Sequence, residues 1–189
     1  MRMVPLLVFT GLAALPYPSF AQDMPVGYLC CNMRSDGSIM IDINYEGPKE
    51  HLVPAGTPLK VTGFLWHYRV IVDISGRRQY IKNDYSRDLP MNEFVKRYVV
   101  ANDPAVKIAN FPEKTRDAIA SARLMKGMTR EQVLMSVGYP VSTENANLGA
   151  KTWKFWLGSF DEFDVKFDDD NRVIEVDATA DTRAKVFME

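Results

Sequence analysis

Histidine and cysteine are scarce in this chain, with two of each among 189 residues. That scarcity removes most metal and nucleophile chemistry. A zinc site needs three or four donors at workable spacing, and neither His-x-x-x-His nor Cys-x-x-Cys occurs. The Gly-x-Ser-x-Gly elbow and the glycine-rich phosphate loop are missing too. General acid–base catalysis needs positioned partners, and the sequence nominates no such pair. The expectation is a protein that is not an enzyme and takes no cofactor and no metal. Surplus charge is also lacking: 23 basic residues face 24 acidic ones, for a net charge of −1. Without a basic excess there are few counterions to release from phosphates, so no nucleic-acid partner is expected. Long apolar runs are confined to the start of the chain.

That start has the three parts of a secretory signal. Arg2 is the positive end, Val4–Leu15 is apolar and uncharged, and Pro16 and Pro18 precede the small-x-small site Ser19-Phe20-Ala21. The run is shorter than the roughly 20 residues a permanent span needs. Residues 1–21 are therefore read as a signal peptide cleaved after Ala21, which addresses the chain to the periplasm. Cys30 lies too far beyond the apolar run to serve as a lipid anchor, so the chain is expected to be peripheral to a membrane at most.

Residues 22–101 read as a small β-rich unit closed by a helix. Ile39, Ile41, Ile43 and Tyr45 alternate along one strand face, with Asp42 and Asn44 opposite. Tyr68, Val70, Val72 and Ile74 repeat the pattern, and Ser75-Gly76 turns the chain into Arg77–Lys82. His67, between Trp66 and Tyr68, is placed in a strand as a rim residue. Met91, Phe94, Val95, Tyr98 and Val99 make one helical stripe, with Asp88 and Pro90 near its start. The fold expected is a small antiparallel barrel or meander, and Leu52–Val61 resembles the entry to an SH3-like barrel. Asn83–Asp88 is a polar loop whose Asp84, Tyr85 and Arg87 are candidate binding residues. Cys30-Cys31 is read first as a pair of packed structural thiols, because neighbouring strand side chains point to opposite faces. A vicinal disulfide, an intermolecular bridge and metal capture are the alternatives.

Residues 102–112 read as a linker, and residues 113–189 as a second unit of two helices and three strands. Glu113–Arg123 is the first helix, with Ala118, Ile119 and Ala122 inward. Thr129 and Gln132 have capping-box spacing, and Met128 and Val133 are spaced as a hydrophobic staple. Gly138 can end that helix at positive φ and Pro140 prevents its continuation. Trp153, Phe155 and Leu157 alternate inward, leaving Lys154 and Trp156 outward; Phe163, Val165 and Phe167 follow. Asp168-Asp169-Asp170-Asn171 makes a hairpin turn rather than a calcium loop, and Arg172–Asp177 returns with Ile174 and Val176 apolar. The many carboxylates of this stretch are read as solvated strand faces.

Gly127-Met128-Thr129, Val133, Val137 and Gly138-Tyr139-Pro140 resemble the BamE (SmpA/OmlA) domain of bacterial outer-membrane assembly proteins. Trp153-Lys154-Phe155 and the Phe167–Val173 hairpin extend the likeness over residues 113–189. The resemblance implies a noncatalytic protein-binding domain of the cell envelope, supporting outer-membrane protein assembly or envelope integrity. The same scaffold also serves secreted inhibitors, so a periplasmic inhibitor or small-ligand-binding protein is the competing expectation. An envelope protein partner is expected, with Trp156 and Lys154 joining Asp84, Tyr85 and Arg87 as contact residues.

Overall fold

The computed structural model describes residues 25–43, 47 and 49–189. The leader, its cleavage site and the strand positions Asn44 and Tyr45 lie outside the described residues. The chain is mixed α+β. Eight strands form one curled sheet: β1 (Val26–Leu29), β2 (Met33–Ser35), β3 (Ile39–Ile41), β4 (His51–Val53), β5 (Pro58–Leu65), β6 (Arg69–Ile74), β7 (Arg77–Lys82) and β8 (Val99–Val100). Their order is β4-β2-β3-β7-β6-β5-β1-β8. Helix α1 (Met91–Tyr98) lays Phe94, Val95 and Tyr98 on it. Leu29, Val61, Val70, Val72 and Ile81 supply much of this first core.

Two expectations for this sheet fail. The pairing of β3 with β7 is parallel, so the unit is no all-antiparallel meander. Beside β3 the inward residues are Met40 and Asp42, while Ile39 and Ile41 are half-buried and Ile43, as expected, is buried. Both corrections have one cause. In a parallel pair the carboxyl ends of the two strands lie together, so Asp42 meets the chain that leaves β7 at Asp84–Ser86. Elsewhere the alternation holds: Val70, Val72 and Ile74 are buried, and the Ser75-Gly76 turn has φ of 54° and 79°.

After β8 come α2 (Pro104–Ile108), α3 (Glu113–Ala120) and α4 (Arg130–Val137), then β9 (Thr152–Gly158), β10 (Asp161–Phe167), β11 (Val173–Ala178) and α5 (Ala180–Val186). The three strands form a second sheet, β11-β10-β9. Its inner rows, Trp153, Phe155, Leu157, Phe163, Val165 and Phe167, close a second core against α3, α4 and α5. The stretch read as a linker contains α2, opened by Asp103, whose side chain accepts from Ala105 N, and by Pro104 in the first turn. Ile108 and Phe111 pack on the second core. Helix α5, absent from the sequence-based reading, is capped by Thr179 and buries Val186.

The helix entry is built as its sequence requires. Thr129 accepts from Gln132 N while the Gln132 side chain accepts from Thr129 N, completing the capping box. Met128 and Val133 are buried beside it, and α4 ends at Gly138 with φ 81°. One strand residue is reversed. Lys166 pairs with Glu175 and Phe167 with Val173, so Ile174 is the extra residue of a bulge, 48 % exposed, and Val173 turns inward instead. Loss of one cap costs about 1 kcal/mol. Thr129→Ala is accordingly expected to lower unfolding stability by about that amount, read as a shifted urea midpoint at unchanged slope.

Candidate functional site

The two cores meet at a seam organised by Asn32, which is 2 % exposed. Helix ends leave carbonyls without intrahelical partners, and Asn32 serves the last turns of two helices. Its Nδ2 donates to Ile119 O of α3 at 2.5 Å and to Ser136 O of α4 at 3.0 Å, while its main-chain N–H donates to Met135 O at 2.9 Å. Its Oδ1 accepts from Ala55 N at 3.0 Å, tying the same side chain to the first sheet. Ser142 crosses the seam as well. Its N–H donates to Ser86 Oγ at 3.3 Å, and its hydroxyl donates to Asp88. Asp88 is thus engaged across the seam, and α1 starts at Met91 after Pro90, with no side-chain cap.

The polar loop after β7 is held from beneath. Asp42, 3 % exposed, accepts from the backbone N–H groups of Asp84, Tyr85 and Ser86, the last at 2.8 Å. Burial raises its carboxyl above the ordinary value of 3.8, against the pull of those N–H groups. Tyr98, fully buried in the first core, donates its hydroxyl to the Asp42 carbonyl at 3.3 Å.

This clamp brings together the candidates drawn from the two halves. Tyr85, 37 % exposed, meets Trp156 of β9 with ring centroids 6.3 Å apart. Trp156 does leave the second core, but it is only half-exposed. It lines a small cavity with Arg34 and Ile43, so it spans the seam instead of standing free. Lys154, beside it on the outer sheet face, pairs with Glu162 at 3.0 Å. Asp84 pairs with Lys82 and Arg87, and Arg87 lies over the Tyr68 ring at 5.2 Å. The outer carboxylates of the second sheet are largely answered by Lys151, Lys154 and Lys166.

The cysteines form a vicinal disulfide, not the packed thiols favoured by sequence. The strand geometry that would separate them does not apply, because β1 ends at Leu29 and both cysteines lie in a bend. As a cross-link this bond does little. Closing a two-residue loop removes only about 1 kcal/mol of unfolded-chain entropy, against about 3 for a 15-residue loop. It borders a pocket of about 320 Å³ between the cores, walled by Val100, Pro104, Leu134, Met135 and Tyr139. Lys107 of α2 and Glu131 of α4 form an ion pair among the lining residues, at 2.5 Å. Tyr139 packs edge-on against Tyr98 at 5.8 Å, and burial raises its hydroxyl above the usual value.

Sequence reasoning missed the hairpin tips. Phe160, between β9 and β10, is 97 % exposed; Trp66, between β5 and β6, is 72 % exposed, with Phe64 44 % exposed nearby in sequence. His67 is not in a strand: Trp66 and His67 form the turn, with φ of 57° and 61°. Glycine or asparagine is favoured at such positions, so two bulky residues there were the available signal. Among the described residues, no group of three or more His, Cys, Asp or Glu could hold a metal ion, and no helix is long and apolar enough to cross a membrane. Comparison with protein-family models, curated proteins and solved structures gives no match to this chain.

The Asp42 clamp sets a pH dependence. A carboxyl whose folded-state value is raised favours the folded state most when protonated. Its contribution is full below about 3.8 and is lost as pH rises through the raised value. The stability of the native chain minus that of Asp42→Asn is expected to fall with pH across that interval. Denaturation midpoints from pH 3 to 7 measure it, and a difference that rises with pH would contradict the clamp as described.

Proposed function

We propose that this chain is an exported, noncatalytic interaction module of the bacterial cell envelope, acting in the periplasm on an envelope protein partner. Residues 113–189 are taken as a BamE-like unit and the preceding sheet as an SH3-like companion. Support for the first comes from the completed capping box at Thr129 and Gln132, the stop at Gly138, and two helices packed on three antiparallel strands. Helix α5 is an addition to the order expected from the resemblance.

The observation that carries an interaction role is the β5–β6 tip. Non-glycine residues at positive φ cost about 1–3 kcal/mol each and persist where the surroundings hold them. Here two in succession hold a tryptophan 72 % exposed. Folding alone gives no reason to retain that arrangement, whereas exposed tryptophan is a preferred anchor of protein interfaces. Phe160 gives the second sheet a comparable tip. Tyr85 and Trp156, with Lys154, Asp84 and Arg87 around them, form a firmer surface at the seam.

Two outcomes follow from strain retained for binding. Replacing Trp66-His67 by Asn-Gly is expected to raise unfolding stability by about 1–3 kcal/mol. A photoreactive residue at position 66 is expected to form a discrete adduct with an envelope protein in living cells, while one at the outward bulge position 174 does not. A destabilised Asn-Gly variant together with no adduct at 66 would overturn the proposal.

A further inference from the structure

We propose that the Cys30–Cys31 disulfide is a thiol-exchange site, and that the pocket beside it admits low-molecular-weight thiols. The inference stands apart from the interaction role and does not depend on it. Both sulfurs are oxidised in the structure, and no free cysteine occurs among the described residues. The two sulfurs are unequally placed: Cys31 is 0 % exposed in the first core, whereas Cys30 is half-exposed, and both border the pocket. At about 320 Å³ the pocket lies at the lower end of the range that holds small ligands. Val100, Leu134 and Met135 give it apolar walls, and the Lys107–Glu131 ion pair lies among its lining residues, each charge meeting its opposite on a zwitterionic thiol once the pair opens. A bond that cross-links almost nothing, set against a ligand-sized cavity, has its natural use in being opened.

The chemistry is exchange by in-line attack on sulfur. An incoming thiolate bonds to Cys30 Sγ, the Cys30–Cys31 bond breaks, and Cys31 leaves as a thiolate that takes up a proton. A second thiol then attacks the sulfur of the first in the mixed disulfide and expels Cys30, which is protonated in turn. Two thiols are oxidised to one disulfide and the vicinal pair is reduced, with no other reactant needed. The next residue is Asn32, whose main-chain N–H and side chain hold the ends of α3 and α4. Opening the ring therefore relaxes the chain immediately beside the seam.

The test uses reduced glutathione as the probe thiol on the folded full-length protein, with acid quenching, alkylation and peptide mass mapping. The expected result is a glutathione adduct on Cys30, formed within about 100-fold of the rate in denaturant-unfolded protein. Val100→Trp, which fills the pocket, is expected to slow exchange at least about ten-fold with an unchanged circular dichroism spectrum. If that variant fails to fold, Leu134→Phe makes the same comparison with a smaller intrusion. Protection of the folded disulfide beyond about 100-fold, adducts confined to Cys31, or a folded pocket-filling variant that exchanges at the native rate would each overturn the proposal.

Discussion

One buried amide holds this structure to its shape. An asparagine side chain has two donors and an acceptor to satisfy, and water does not reach Asn32 to do it. The first sheet satisfies the acceptor through Ala55 N–H; the ends of α3 and α4 take the donors. Each partner is a backbone group, and of these the Ile119 carbonyl also accepts from Ala122 N–H at 3.0 Å. Leaving such a group unsatisfied costs about 1–3 kcal/mol, which is large beside the 5–15 kcal/mol of a typical domain. Neither half can therefore shift along the seam without stranding several polar groups at once.

The residues gathered at the seam are placed by that constraint. Tyr85 reaches Trp156 because the first half is fixed against the second, and because Asp42 fixes the loop that carries Tyr85. The disulfide pocket exists because α2 and α4 face the bend just before Asn32. The hairpin tips are different in kind: Trp66 and Phe160 project from sheets already complete and touch neither constraint. The molecule thus combines a hydrogen-bonded seam between its two cores with exposed aromatics at two hairpin tips. Opening the vicinal disulfide would act on the seam.

Much of the second half was legible in the sequence, because its signals are local. Thr129 and Gln132 state the cap within four residues, and Phe163, Val165 and Phe167 state the inner face of β10 by alternation alone. Where local signals competed with long-range pairing, the sequence misled. Asp42 looks outward on any hydropathy scale, yet its carboxyl gathers three N–H donors at the loop after β7. Ile174 looks inward, but a bulge reverses it. The Asp103-Pro104 start of α2 and the Thr179 cap of α5 were written in the chain and overlooked, since each opens a helix of only two turns or less. The candidate site was legible in its parts: Asp84, Tyr85, Arg87, Lys154 and Trp156 were visible as loop and outward residues. Their meeting was not, because it depends on the seam, and nothing in residue spacing announces that Asn32 reaches both cores.

The central claim is that Asn32 couples the two cores into one cooperative unit. Hydrogen exchange of the native chain and of Asn32→Ala, followed across denaturant, tests it most directly. The native chain should lose protection of the central strands β6 and β10 in one shared transition. The variant should lose about 3 kcal/mol or more and release the two sheets at separate denaturant concentrations. A variant that keeps native stability and a single shared transition would contradict the account.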